Sequence, residues 1–213
     1  MHIYSLNQGK ELVRAAHNAI ELYLKNPFFK KELIEDSLSG FDDKHGVFVT
    51  VNYYPIDALR GCVGFPYPSK PIKRALIEAA IAAGFEDPRF VPLSHRELDE
   101  ITIEVSVLSD PVEVKGTARQ RLKSIVVGRD GTMVEYGMYS GLLLPIVAVQ
   151  EGWNAKQLLE QTCLKAGIPE EYWMQPKVRL YKYETQVFRE SEPNGPIIEV
   201  KLPEESKFLK PGK

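Results

Sequence analysis

The segment Ile101-Thr-Ile-Glu-Val-Ser-Val-Leu108 constrains this chain more than any other. Ile101, Ile103, Val105 and Val107 alternate with Thr102, Glu104 and Ser106. Successive strand side chains point to opposite faces, so the pattern specifies a strand with one apolar and one polar face. A slip of one residue would turn every apolar side chain outward, so the pattern also fixes register. Strands of this kind belong to antiparallel sheets packed on one side; buried parallel strands read as unbroken apolar runs.

Other segments join the same sheet. Val47-Phe-Val-Thr-Val51 is β-branched and aromatic and reads as a strand that ends at Tyr53-Tyr54-Pro55. Leu59 to Phe65 and a longer stretch from Val178 to Phe188 read likewise. Arg129-Asp130-Gly131 predicts a hairpin between 124–128 and 132–136, because Asp-Gly accepts positive φ, and 137–149 reads as extended chain.

Between the strands lie helical patterns. Ser5 and Gln8 form a capping box before Leu12, Ala16, Ala19, Ile20 and Tyr23, and the helix must stop before Asn26-Pro27. Residues 28–45 read as a charged connection, irregular or partly helical. Ser69 with Pro71 opens a helix whose stripe is Ile72, Ala75, Leu76, Ala79 and Ala83, with Gly84 as its stop. Ser94 and Glu97 cap a short helix. Asn154 and Gln157 cap another, faced by Ala155, Leu158, Leu159, Thr162, Cys163 and Ala166 and closed by Gly167. The fold class expected is α+β, a mainly antiparallel sheet flanked by helices, over residues 6–200. The polar, basic stretch 115–123 is a candidate crossover within it, and 201–213 is expected to be a mobile tail.

Several function classes fall away. With 27 Lys or Arg against 29 Asp or Glu, the net charge of −2 gives no whole-protein reason to expect nucleic acid or membrane binding. The longest apolar run, Leu142 to Val149, contains Pro145 and falls far short of a membrane helix. The first residues lack the apolar core of a signal peptide, and two cysteines make no disulfide framework, so a cytoplasmic protein is expected. No GxxxxGK[ST], GxGxxG or GxSxG motif is present. His2, His17, His45 and His95 are scattered without metal-ligand spacing, so neither a metal centre nor a cofactor is expected.

The exceptional segment is Leu59-Arg60-Gly61-Cys62-Val63-Gly64. In a regular strand Arg60 and Cys62 share a face, about 7 Å apart. A guanidinium there would stabilise a thiolate, and the missing side chain at Gly64 would leave room for a small group. Three readings stay open. Cys62 is a nucleophile; it is a small packing residue; or Arg60 is the functional group, binding carboxylate or phosphate as a planar fork, with Cys62 a spacer. Asp87-Pro88-Arg89-Phe90 is the second candidate, a rigid loop whose Asp87 and Arg89 either line the same cleft or form an ion pair that pins the loop. Glu104 and Ser106 read as a solvated face. Lys115, Arg119, Arg121, Lys123 and Arg129 could contact phosphate, although clusters like this on a near-neutral protein are usually solvated surface.

Leu59-Arg-Gly-Cys-Val-Gly64, the Ala-rich helix running into Asp87-Pro-Arg-Phe90, Ile103-Glu-Val-Ser-Val-Leu108, Gly128-Arg-Asp-Gly131, Leu142-Leu-Leu-Pro145 and Lys165-Ala-Gly-Ile168 follow one another in the order of the AMMECR family. The chain resembles that family over about residues 6–200. Val63 replaces its usual isoleucine, and Ile146 stands where it often has glutamine. The resemblance implies an α+β fold of two unequal, interlocked subdomains with a cleft between them. It implies no defined activity, and it points to dioxygenase-like and radical-chemistry proteins as prokaryotic associates and to a regulatory role in eukaryotic relatives. Its signature falls on Arg60, Gly61, Cys62 and Gly64. The expectation is therefore an enzyme or enzyme component that takes a small anionic substrate in a cleft lined by this segment. Arg60 and Arg89 would hold the anion, Asp87 would orient an arginine, and Cys62 would be the nucleophile. The alternatives are a non-catalytic binding or regulatory module holding a protein partner or metabolite in the same cleft, and nucleic-acid contact through 115–129.

Overall fold

The structure, a computed structural model, describes residues 3–201; the expected tail beyond Lys201 lies outside them. The chain forms two compact units, one from residues up to Asp110 together with Gln186–Val200, the other built around Pro111–Thr185. The division falls after Asp110, a few residues before the basic stretch.

In the first unit, α1 (Leu6–Lys25) starts at the Ser5–Gln8 capping box and ends at Asn26, where Pro27 forbids continuation. A single turn, α2 (Glu32–Glu35), interrupts the following connection. Strands β1 (Gly46–Tyr53), β2 (Ala58–Phe65) and β3 (Ile101–Leu108) are antiparallel, with β1 in the middle and β2 at the edge. Helix α3 (Ile72–Phe85) and α1 cover one face. Val47, Val49, Val51, Ile101, Ile103, Val105 and Val107 all point into that core. Each is worth roughly 1.5–3 kcal/mol once buried. The opposite face of β3 is covered as well, with Thr102 6% and Ser106 1% exposed and Glu104 half-buried, so the solvated face expected for Glu104 and Ser106 is not found.

Two details of α3 depart from expectation. Its N-cap is Pro71, not Ser69, with no side-chain cap bond. It also runs through Gly84 to Phe85: an added Cβ at Gly84 would lie 3.0 Å from Leu93, so this glycine makes room for Leu93 instead of stopping the helix. The Ser94–Glu97 capping box opens a 3₁₀ turn, His95–Glu100.

The second unit contains β4 (Val112–Glu113), α4 (Ala118–Lys123), β5 (Asp130–Tyr136), β6 (Tyr139–Leu143), α5 (Pro145–Gln150), α6 (Ala155–Lys165) and a 3₁₀ turn, Glu170–Met174. Strand β7 (Arg179–Glu190) gives this unit its first residues, which pair with β4 and β5. Its last residues belong to the first unit, where they pair with β8 (Ile197–Val200). The expected hairpin at Asp130-Gly131 is one turn misplaced. Asp130 is the first residue of β5, its carboxylate accepting from the Val126 amide and the Arg129 guanidinium, and the reversal occurs at Gly137, with φ +61°. The extended reading of 137–149 also fails beyond Leu143, because Pro145 occupies the first turn of α5. Capping of α6 by Asn154 and Gln157 and its closure at Gly167, φ +77°, follow the sequence.

Candidate functional site

The LRGCVG segment is β2, and most of it serves the fold. The β1–β2 register shifts between Val51 and Asn52: Val51 pairs with Gly61, but Asn52 pairs with Leu59, so Arg60 is an extra residue in a bulge. The bulge breaks the alternation that would have put Arg60 beside Cys62. Arg60 is instead 2% exposed, its Nε donating to Glu97 Oε1 at 2.7 Å and its Nη2 to the Val91 carbonyl at 2.8 Å. The Tyr53 hydroxyl donates to the same Glu97 oxygen at 2.8 Å. Burial alone would raise the Glu97 carboxyl, but the Arg60 guanidinium, the Ser94 amide and the Tyr53 hydroxyl outweigh it and bring it down to about 2. Arg60 therefore ties β2 to the 91–97 segment, with Nε and Nη2 engaged within the protein and Nη1 buried without a partner, instead of standing beside Cys62 as the alternation predicts.

Both glycines are explained by close approach. A Cβ at Gly61 would meet the Ala83 carbonyl oxygen at 2.1 Å, so this glycine admits the backbone of α3. At Gly64 the Phe48 ring fills the space, 2.3 Å from an added Cβ. The gap expected beside Cys62 for a small group is therefore occupied by protein.

Cys62 is different. It pairs with Thr50 across β1–β2, is half-buried, and its Sγ accepts from Thr50 Oγ1 at 3.3 Å. Because β2 is an edge strand, its outward backbone groups need partners. Asp87 and Arg89 supply them. The Cys62 amide donates to Asp87 Oδ2 at 2.9 Å, and Arg89 Nη2 lies 3.4 Å from the Cys62 carbonyl. Arg89 also grips the same carboxylate as a fork, Nε to Oδ1 at 2.9 Å and Nη2 to Oδ2 at 2.7 Å, and its own amide donates to Oδ1 at 3.1 Å. The Arg89 guanidinium, helped by the Cys62 and Arg89 amides against the effect of burial, holds the Asp87 carboxyl far below the usual carboxylate range. Asp87 is 5% exposed, whereas the Arg89 side chain is 53% exposed with Nη1 outside these bonds. The Phe90 ring lies 5.8 Å from the Arg60 guanidinium and 5.5 Å from that of Arg89. The structure thus brings together Cys62, Asp87 and Arg89 and turns Arg60 away.

On the polar face the sequence assigns no role to Thr50 and reads Glu104 as solvated. Thr50 stands between Cys62 on β2 and Glu104 on β3, a row across three strands. Glu104 is half-buried, and burial pushes its carboxyl up to about 7, with Arg189 opposing and Asp57 reinforcing the rise. The alternation had placed Glu104 on the polar face; only pairing reveals that Cys62 lies on the same row.

The remaining candidates separate. In the second unit Arg121 is 5% exposed and donates to the Trp173 and Gln175 carbonyls, Arg129 pairs with Asp130, and Lys115 pairs with Glu113. Three of the five basic residues are thus engaged within the second unit. In the first unit, buried His17 bonds to Glu190 at 2.8 Å, and Glu190 also accepts from the Ile103 amide at 2.9 Å, a core pair. Among the described residues no group of three or more His, Cys, Asp or Glu side chains could hold a metal ion, and no helix is long and apolar enough to cross a membrane.

An antiparallel α+β fold with a bulged LRGCVG edge strand pinned by Asp-Pro-Arg places the chain in a definite class. The AMMECR1 family model matches residues 13–188, and this chain belongs to the AMMECR1 family. A protein of Thermococcus gammatolerans is 48% identical over 192 residues, covering 89% of this chain and 93% of its own. Protein MJ0810 of Methanocaldococcus jannaschii is 44% identical over 203 residues, covering 95% of this chain and 100% of its own. The crystal structure of protein PH0010 from Pyrococcus horikoshii superimposes with a TM-score of 0.88 at 43% identity, over 95% of this chain and 100% of that one. No activity is named for these relatives.

Proposed function

We propose that the protein is an enzyme or enzyme component that takes a small anionic substrate at Cys62, with the thiol as nucleophile and Arg89, oriented by Asp87, as the contact for the anionic group. The division of labour along β2 carries this reading. Arg60 clamps, Gly61 admits a helix, Val63 packs on the core and Gly64 receives a ring, whereas Cys62 presents a half-buried thiol on a backbone held at that residue. A nucleophile needs a fixed position and an accessible sulfur, and this arrangement supplies the first without removing the second. The test is alkylation of the full-length chain by iodoacetamide, with peptide mapping, in the presence and absence of acetate or phosphate. Modification of Cys62 that these anions slow in the native chain, and slow less in Arg89→Ala, is the expected result. If folded protein is unmodified at every pH, the nucleophile is ruled out.

A second reading keeps the same residues as a non-catalytic binding or regulatory module. It is favoured by the four donor groups gathered on Asp87, which hold protein to protein and leave only the outer edge of Arg89 to a ligand. It predicts anion binding that depends on Arg89 while Cys62→Ser binds normally.

A further inference from the structure

Buried charges in this protein come with a counter-charge, with one exception. Among the described residues Arg60 is paired with Glu97, Asp87 with Arg89, Asp130 with Arg129, and Glu190 with His17. Arg121, on α4 of the second unit, is 5% exposed and has no ion pair. Its side-chain bonds come from Nη1 alone, to the Trp173 carbonyl at 2.8 Å and the Gln175 carbonyl at 3.1 Å. Nε is enclosed and bonds to nothing, and Nη2, also unbonded, is the nitrogen left toward solvent. Nε and Nη2 form one edge of a guanidinium, the same fork by which Arg89 holds Asp87. Arg121 thus anchors one nitrogen in the fold and leaves its fork without a protein partner. Carbonyl dipoles do not neutralise a cation, and a charge taken out of water without an opposite charge is costly. Burial accordingly pulls the Arg121 pKa below the usual arginine value, opposed only by Glu113, which is itself paired with Lys115. The segment that Arg121 grips holds a second idle donor: Trp173 is 2% exposed, and its indole Nε1 lacks a partner as well. Between 115 and 123 the charged residues are Lys115, Arg119, Arg121 and Lys123, with no acid among them. Arg119 and Lys123, two places to either side of Arg121, lie on other faces of the helix and supply field, not contact.

We propose that Arg121 is the base of an anion site that takes one carboxylate group through its Nε–Nη2 edge. The two donors of that edge are coplanar and parallel and match the two oxygens of a carboxylate. The carbonyls of Trp173 and Gln175 fix the guanidinium from the Nη1 side, so the fork is already oriented before a ligand arrives. Only the carboxylate reaches the arginine; the rest of the ligand stays outside, beyond Nη2. A small organic acid and the acidic side chain of a partner segment present the same chemistry. The site lies in the second unit and is independent of Cys62 and Arg89. It also gives the basic stretch a use that needs no nucleic acid, because a phosphate backbone is met by several outward cations, whereas the anchored cation here is buried. A bound carboxylate supplies the counter-charge that Arg121 lacks and so stabilises the folded chain by mass action.

The test is an NMR titration of the full-length chain with sodium acetate, with ionic strength held constant by sodium chloride. It follows the Arg121 Nε–H signal, assigned through its own side-chain correlations, so no variant has to fold for the result to count. A saturable shift of that signal in the millimolar range is expected. A shift that never saturates, or that chloride alone reproduces, overturns the site. Arg121→Lys keeps the charge and loses the fork, and should weaken acetate binding about tenfold, read on the backbone amides that shift in the native chain. Equal binding by the lysine variant overturns the bidentate fork. Arg89→Ala should leave the Arg121 shift unchanged; its loss there would assign acetate to the Cys62 edge and overturn a separate site. A second titration, with acetyl-Gly-Glu-Gly-amide, distinguishes the sources. Tighter binding than acetate assigns the site to an acidic side chain of a partner, and weaker binding assigns it to a small free acid.

Discussion

The two cysteines of this chain occupy opposite environments. Cys163 lies on the inner face of α6, fully buried among Leu158, Leu159 and Trp173, and burial pushes its thiol up to about 11. Cys62 lies on an edge strand, half-buried, its amide and carbonyl held by the Asp87–Arg89 pair and its sulfur touched by a hydroxyl. One cysteine behaves as a small apolar residue; the other is displayed. The contrast shows that holding a side chain in place and burying it are separate problems. A strand can be immobilised through its backbone while the side chain stays in reach.

The contrast can be broken first by chemistry. At pH 8 a thiol titrating near 11 is only about one part in a thousand thiolate, and Cys163 is also fully buried, so Cys62 should outpace Cys163 in iodoacetamide alkylation by about a hundredfold or more. Comparable rates, measured by peptide mapping on native protein, would erase the distinction. Next comes the backbone clamp. Asp87→Ala removes the acceptor for the Cys62 amide and strands Arg89, so exchange of that amide should accelerate about a hundredfold and stability should fall about 2–3 kcal/mol by denaturant titration. Amides of α6 in the other unit should lose no more protection than this global destabilisation accounts for.

Acid should probe the neighbouring clamp more gently. A carboxyl depressed in the folded state contributes stability above its unfolded value of about 4.3, and that contribution is lost as pH falls through the folded value. For Glu97, brought down to about 2 chiefly by Arg60 against the effect of burial, the window is pH 4 to 2, and the loss should be about 2 kcal/mol. Glu97→Gln should lose most of that pH dependence in denaturant melts recorded across the window. The smallest effect separates the two thiols again. Cys163→Ser places a hydroxyl in a sealed core and should cost about 1–2 kcal/mol, while Cys62→Ser should stay within about 0.5 kcal/mol.

Much of the fold was legible because local signals agreed with tertiary packing. The Ser5, Ser94 and Asn154 capping boxes and the β3 alternation all stand where the sequence put them. Misreadings arose where one residue had two available roles. Asp130-Gly131 has hairpin chemistry, yet Asp130 uses its carboxylate to cap the preceding turn and Gly131 lies against the Tyr183 ring. At the candidate site, alternation assigns Arg60 to the face of Cys62, and the structure differs because a one-residue bulge leaves no mark in a single sequence. Glu104 was hidden for a related reason: its strand and face were readable, but the strand beside it and the register are long-range facts.

The division of β7 between the units has a consequence for how the molecule is made. Residues 111–185 emerge from the ribosome before Gln186, Phe188 and Glu190, and those last residues fill the first unit. Until they arrive, Gly9 has no phenyl ring against it, His17 lacks the Glu190 carboxylate, and the amide of Ile103 lacks its acceptor. The segment begun first is thus completed last, and the part of the chain translated in between can finish its own core while the earlier one waits.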